Sequence, residues 1–510
     1  MSEKEFNFRI PKKFNLATDC IDKWIDNEEI SKKIAIYEVS QSLKINSISY
    51  RTLYKKINFY SNFLLKEGIK KGNKVLIRME NSIDFVIFFL SIVKIGAVAI
   101  PTSILLKKRE LKYIITNSKP KAAISKTLIN FLNEEKVKVL KPKKINNKSS
   151  HKYLEKNKKT LANDPCYMTY TSGTTGKPKG VLHAHRSIIG REPSTKFWLN
   201  LKQEDVVFNP GKLNWTYTLG AGCLDCLRYG STVVIYSGDH NTNNYLEIIN
   251  NLKITIFMTV PGVYRQILRE ITADLRKIKK LKSVKNFLCA GEHLKKEIIV
   301  EWKKKLNKYI YEGLGMSEIS YFISNNPMKK IVPGSCGKVQ PGHKAFLVDK
   351  KYNKISNNSV GELVVEAKDP GLMIKYWRDP WETKRKFKNN LFLTGDIFKL
   401  DNRGYLWFQS RKDEIINALG FRISPKEIED IVDSINFVDE SALCIKKINN
   451  QKEITSLRVV LKKNRIKNPI KIISKMINSE LAEYKRPKEI KIVSKIEKTI
   501  NGKVIRLLKN

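Results

Sequence analysis

The chain has 510 residues, 42% of them hydrophobic, and a formal net charge of +46 from 96 basic and 50 acidic residues. That length holds a large core and more than one domain, with a hydrophobic content ordinary for a globular enzyme. The basic residues are spread along the chain with no aromatic-interleaved patch, which argues for a lysine-rich composition over a nucleic-acid or anionic-membrane partner.

Seven scattered cysteines, an odd number in apolar surroundings, are expected to be reduced thiols of a cytoplasmic protein. Cys223 and Cys226 have no second pair at metal spacing, so they carry no zinc or redox expectation. The opening MSEKEFNFRI lacks the apolar core of a secretory signal. The most apolar run, 85–101, is broken by Lys94 and Gly96 and falls short of the roughly 20 residues a membrane span needs.

Apolar runs alternate with helical patterns. Strands are expected at 75–79, 97–100 and 122–125, with helices at 83–93 and 111–117 between them. The lysine-, asparagine- and serine-rich stretch 136–159 reads as a solvated loop. Further strands are expected at 232–236 and 254–259 around a helix at 245–252. Short strands at 287–290 and 309–312 should end in the loops 291–292 and 313–318. Such alternation implies α/β layers with largely parallel sheets, whose ligand sites lie at the carboxyl ends of strands. The charged turn 410–414 interrupts the pattern. Beyond it, 428–435, 456–461, 470–481 and 489–494 read as the elements of a small α+β domain. The expected division is a large domain over 1–410, a hinge over 411–415 and a mobile domain over 416–510.

The run 170–181, YTSGTTGKPKGV, gathers glycines, hydroxyls and two lysines after an apolar strand. Converging backbone N–H groups, hydroxyl donors and positive charge suit a polyphosphate. The run departs from the Walker pattern, because Pro178 follows Lys177 where Ser or Thr should stand. By composition alone it is either a phosphate-binding loop of another kind or an exposed turn.

Further segments follow in order: AGE at 290–292, YEGLGMSE at 311–318, GEL at 361–363, YW at 376–377, TGD at 394–396, GFRI at 420–423 and NGKVIR at 501–506. Together with 170–181 they resemble the adenylate-forming (AMP-forming) acyl-CoA synthetases over roughly 48–506, nearly the whole chain. The resemblance implies activation of a carboxylic acid with ATP and Mg²⁺ to acyl-AMP and pyrophosphate, then acyl transfer to coenzyme A. Thr171, Ser172, Gly173, Thr174, Thr175, Gly176, Lys177 and Lys179 would hold phosphates. Glu318 would be the magnesium ligand. Gly291, Glu292, Glu312 and Gly313 would line the adenine site, and Asp396 with Arg411 would meet the ribose. Lys503 would bridge the substrate carboxylate and the α-phosphate, offsetting the repulsion of two anions. Asp413 matches the hinge residue, and Gly420 and Arg422 the coenzyme A side.

Within that family, 212–220 (KLNWTYTLG) and 321–325 resemble benzoate-CoA ligases, while YEG and GFRISP lean toward medium-chain acyl-CoA synthetases. Trp215, Tyr217 and Gly315 are the pocket candidates; the two aromatics are equally readable as core. Departures stand at Leu314, where many relatives have an aromatic, at Ser410, and at Ile496-Glu497 in place of Leu-Pro. Two other readings fit the sequence: an enzyme loading a carrier-protein thiol, and a basic nucleic-acid-binding protein with a degenerate ligase fold. No nucleic-acid partner is expected; homodimerisation is left open.

Overall fold

The computed structural model describes residues 6–141, 160–171, 178–412, 416–418, 421–423, 425–449, 452–462, 466–481, 486–498 and 504–508. The chain forms two compact units, one of Met1–Ala345 with Val365–Phe392, the other of Phe346–Val364 with Leu393–Asn510. The division expected at 410 concerned where the chain swivels. It is a different matter from this grouping, and stands as a proposal.

The first unit contains two sheets. In one, Val98–Thr102, Lys74–Arg78, Ala122–Ser125 and Lys138–Val139 run parallel, and Pro165–Thr171 joins parallel to Val98–Thr102. The antiparallel strands Lys179–Ala184 and Lys375–Tyr376 extend this sheet beyond Pro165–Thr171. In the nine-stranded sheet, six strands from Ile310–Met316 to Ile34–Val39 are parallel neighbours. Antiparallel strands close both edges: Ile45–Ser49 at one, Ser320–Ser324 and Lys338–Val339 at the other. The expectation of largely parallel layers is met, and the expected strands and helices appear with ends moved by a few residues.

Parallel strands are covered on both faces, so their apolar residues run nearly continuously. Val98–Thr102 and Thr232–Tyr236 are buried at every position. Helix Ile83–Lys94 is buried along almost its whole length and contacts strands of both sheets. Its apolar character all round is that of a core helix. Lys94, which breaks the apolar run, ends this helix in the interior. Its ammonium lies 2.8 Å from both Asp22 oxygens and 2.6 Å from Asn58 Oδ1, the pairing a buried charge requires. Among the described residues no helix is long and apolar enough to cross a membrane. All seven cysteines are buried and none forms a disulfide.

In the second unit, Val438–Asn449 and Lys452–Leu461 form a long antiparallel pair, flanked in parallel by Glu489–Ile492 and Leu507–Leu508. Helices Pro425–Asp433 and Pro469–Glu480 cover it through Ile428, Val432, Ile473 and Ile477. Arg506 pairs with Glu429 and donates to Leu443 O at 2.8 Å, tying the last strand to the first of these helices. Lys498 and Val504 form an antiparallel bridge. Lys503 itself lies outside the described residues, as do Asp413 and Gly420.

Candidate active site

Glu318 sits in the turn between Ile310–Met316 and Ser320–Ser324. The sequence suggested a loop from 313; instead the strand continues through Met316, with Gly313 opposite Ser324 and Gly315 opposite Tyr321. Glycine permits this close pairing. A Cβ at Gly315 would lie 2.3 Å from Ser320 O, and one at Gly313 would lie 2.5 Å from the Trp198 ring. The missing side chain of Gly315 makes room for the hairpin's own backbone, and its place in a substrate pocket stays a proposal.

Three contacts fix the turn. His183 donates from Nε2 to Ser317 O at 2.7 Å, the Met373 N–H donates to Glu318 O at 2.7 Å, and the Tyr376 hydroxyl donates to Glu318 Oε1 at 2.6 Å. The His183 ring stacks on Tyr167 at 4.7 Å, and burial pushes its pKa down to about 3, so it stays neutral with its proton on Nε2. Burial, then the neighbouring Glu318 carboxylate, push the Tyr376 phenol up and keep it a donor. Glu318 is half-buried, and its other oxygen has no protein partner among the described residues. One fixed carboxylate with a bare oxygen fits the sparse protein coordination of Mg²⁺. His183 was not singled out from the sequence, where it is one of six histidines.

Thr171 and Lys179 are opposed across the hairpin Pro165–Thr171/Lys179–Ala184. Residues 172–177, with the candidates Ser172, Gly173, Thr174, Thr175, Gly176 and Lys177, lie outside the described residues. Lys179 is 2.9 Å from Glu382, a residue sequence reasoning missed. Arg385 meets the same carboxylate with two 2.6 Å hydrogen bonds. Burial works against ionisation of Glu382, but hydrogen bonds from Arg385 and Lys179 win and hold its pKa down at about 2.

Gly291 follows strand Asn286–Cys289 with φ +95°, a conformation few other residues adopt. Glu312 is 1% exposed and opposite Cys289. Its Oε1 accepts from His293 Nδ1 at 3.0 Å. Glu292 and Leu314 are half-buried nearby in the chain.

Of the pocket candidates, Tyr217 is 6% exposed and sits in an aromatic cluster. Its ring stacks on Trp198 at 6.2 Å and meets Tyr321 edge-on at 5.3 Å. Its hydroxyl is buried with no hydrogen-bond partner among the described residues, an unusual state for a buried phenol. Trp198 was missed; it donates to Tyr311 O at 3.0 Å and packs against Gly313. Trp215 is half-buried, with no ring contact to this cluster among the described residues.

In the second unit, register puts Asp396 opposite Arg411 in the paired strands Leu391–Leu400 and Leu406–Arg411. Arg411 Nε is 3.5 Å from Asp396 Oδ1. Thr394 Oγ1 donates to Leu363 O at 2.7 Å and accepts from the Asp396 N–H at 3.0 Å, while Lys412 lies 2.8 Å from Glu362. These contacts join the GEL and TGD segments. Arg422 lies in Phe421–Ile423, opposite Asn417.

With this geometry in hand, comparison with known proteins gives a consistent answer. The AMP-binding enzyme family matches residues 26–377, and its C-terminal domain matches 427–503. The chain belongs to that family. It is 29% identical to the uncharacterized acyl-CoA ligase YtcI of Bacillus subtilis, over 98% of this chain and 96% of that one. It is 27% identical to the mitochondrial acyl-coenzyme A synthetase ACSM3 of Rattus norvegicus, over 98% and 91%. Among solved structures, it superposes on the anthranilate CoA ligase AuaEII in complex with anthranoyl-AMP with a TM-score of 0.84. The identity there is 25%, over 99% of this chain and 97% of that one. The reading as an acid–thiol ligase of the acyl-CoA synthetase class, using ATP, holds.

Proposed function

We propose that the chain converts a carboxylic acid, ATP and coenzyme A into acyl-CoA, AMP and pyrophosphate by way of an acyl-adenylate. The observation carrying this reading is the fixed Glu318 carboxylate, whose second oxygen has no partner among the described residues. Mg²⁺, when bound, neutralises phosphate charge and orients the triphosphate. Tyr376 and His183 hold Glu318 to receive it. Thr171 and the loop after it bind the β- and γ-phosphates, with Lys179 adding charge beside Glu382. Gly291, Glu292 and Glu312 border the adenine, and Asp396 accepts from the ribose hydroxyls beside Arg411.

Lys503 offsets the repulsion as the acid's carboxylate oxygen attacks the α-phosphorus and pyrophosphate leaves. The segment about Asp413 then swivels, and Gly420 and Arg422 face the incoming thiol. A few terminal residues suffice for such a motion. Coenzyme A is the acceptor, in keeping with the CoA-ligase names of the relatives. The acid is aromatic or of short to medium chain. The aromatic cluster supports this, with the unpartnered Tyr217 hydroxyl as a handle for a polar substituent. Seven buried cysteines outside any disulfide support a cytoplasmic setting.

The test is thioester formation across acetate, medium-chain acids, benzoate, hydroxybenzoates, anthranilate and cyclohexanecarboxylate. Acid-dependent acyl-CoA with stoichiometric AMP is expected, and turnover without coenzyme A would overturn the acceptor. Lys503→Ala should abolish adenylation yet spare thioester formation from preformed acyl-AMP. Equal loss of both half-reactions would contradict the swivel.

A further inference from the structure

We infer that His293, Glu312 and Cys336 form a binding site for a thiophilic divalent cation of the Zn²⁺ type. Their donor atoms make a compact triangle. His293 Nδ1 is 3.0 Å from Glu312 Oε1, and Cys336 Sγ is 3.6 Å from each of these atoms. A tetrahedral zinc ion takes nitrogen and oxygen ligands at about 2.0–2.2 Å and sulfur at about 2.3 Å. That sets ligand atoms roughly 3.3–3.6 Å apart. Two edges of the triangle already have that length, and the third needs an opening of about 0.3 Å. All three residues belong to the first unit.

A second observation points to a ligand. Glu312 is 1% exposed, and its Oε2 is buried with no hydrogen-bond partner. A bare carboxylate oxygen inside a protein is costly unless a cation or donor meets it. The cluster is also held from outside. Glu312 is opposite Cys289 in the parallel sheet, and its carbonyl accepts from the Asn325 N–H at 2.8 Å. Asn325 Nδ2 donates to Ser335 O at 3.0 Å, fixing the segment that presents Cys336. Gly337, at φ +94°, lets that segment lie directly on Ser324, where any Cβ would collide with the carbonyl. The His293 side chain keeps 18% exposure and gives an ion a path in.

The donor set decides the metal class. One thiolate, one imidazole and one carboxylate suit Zn²⁺ or Co²⁺, whereas Mg²⁺ and Ca²⁺ take oxygen ligands. On binding, the Cys336 thiol gives its proton to solvent as the metal–sulfur bond forms, and His293 binds through Nδ1 with its ring proton moved from Nδ1 to Nε2. Three protein ligands leave the fourth tetrahedral position to water or an added donor. Glu312 is shared with the proposed adenine border, but the cobalt titration uses neither ATP nor an acid substrate, so its failure and that of the ligase reading are distinguishable.

The test uses the full-length protein, freed of metal by chelation and titrated with Co²⁺. One Co²⁺ per chain is expected, with sulfur-to-cobalt charge-transfer absorption and the intense visible bands of tetrahedral cobalt, all removed by Zn²⁺. Cys336→Ser should abolish the charge-transfer band, and His293→Ala should weaken binding about tenfold or more. Cys444→Ser should leave the spectrum unchanged. If Cys336→Ser does not fold, as judged by thermal melting, the more exposed His293→Ala decides. No cobalt spectrum in the intact protein, or a spectrum indifferent to both site variants, would overturn the inference.

Discussion

The parallel interior of the first unit and the antiparallel strands added at its sheet edges are built on different principles. Interior strands such as Val98–Thr102 and Thr232–Tyr236 are buried throughout and held by apolar burial summed over many side chains. The added strands and the turns beside them carry Lys179, Glu318 and Tyr376 and, besides their own burial, are pinned at points: a histidine on a carbonyl, a tyrosine on a carboxylate, glycines where no Cβ fits. A summed structure loses stability gradually as residues are trimmed, whereas a pointwise one fails at single positions. The proposed chemistry lies in the second kind.

The largest expected effect falls on the tightest point. Gly315→Ala should cost about 3 kcal/mol or more, because its Cβ meets backbone that cannot yield, at 2.3 Å from Ser320 O. Thermal and urea unfolding would measure it. A loss under about 1 kcal/mol would show that the hairpin relaxes and blur the contrast.

Next comes the buried ion cluster. Glu382 has its pKa held near 2 against an ordinary 4.5, so its contribution is present above about pH 4.5 and is lost as pH falls toward 2. Glu382→Gln should therefore cost about 2–3 kcal/mol at pH 7, shrinking at pH 3.5. A difference independent of pH would mean that packing, not charge, is what Glu382 supplies.

Tyr376→Phe removes one hydroxyl while keeping the ring. Turnover should fall about tenfold, with a raised Mg²⁺ requirement and nearly unchanged stability. Magnesium titrations of wild type and variant would separate a positioning effect from a folding one. The smallest effect belongs to a glycine free of neighbours. A Cβ at Gly262, in helix Pro261–Ala273, would meet nothing within 4 Å, so Gly262→Ala should be neutral or stabilise by up to about 1 kcal/mol.

The same contrast explains what could be read from the sequence. Strands 122–125 and 232–236 were legible to the residue, because continuous apolar runs between turn residues declare buried parallel strands. The role proposed for the carboxylate at 318 comes only through its motif, since one carboxylate among 50 acidic residues has no periodicity to mark it. The strand through 313–316 was misread as loop, because its glycines mimic a turn while serving close strand pairing. Glu382 and His183 were invisible, since each acts on a residue distant in sequence: Lys179 and Ser317. The Asp396–Arg411 pairing depends on strand register, which a single sequence specifies weakly.

We propose that Glu318, held by Tyr376 and the His183–Ser317 contact, serves the nucleotide chemistry. Acid-dependent ATP–pyrophosphate exchange in Glu318→Gln, beside wild type and with melting curves for both, tests it most directly. The exchange rate is expected to fall by about 10²–10³-fold with a near-unchanged melting temperature. Exchange at the wild-type rate in a folded Glu318→Gln variant would contradict it.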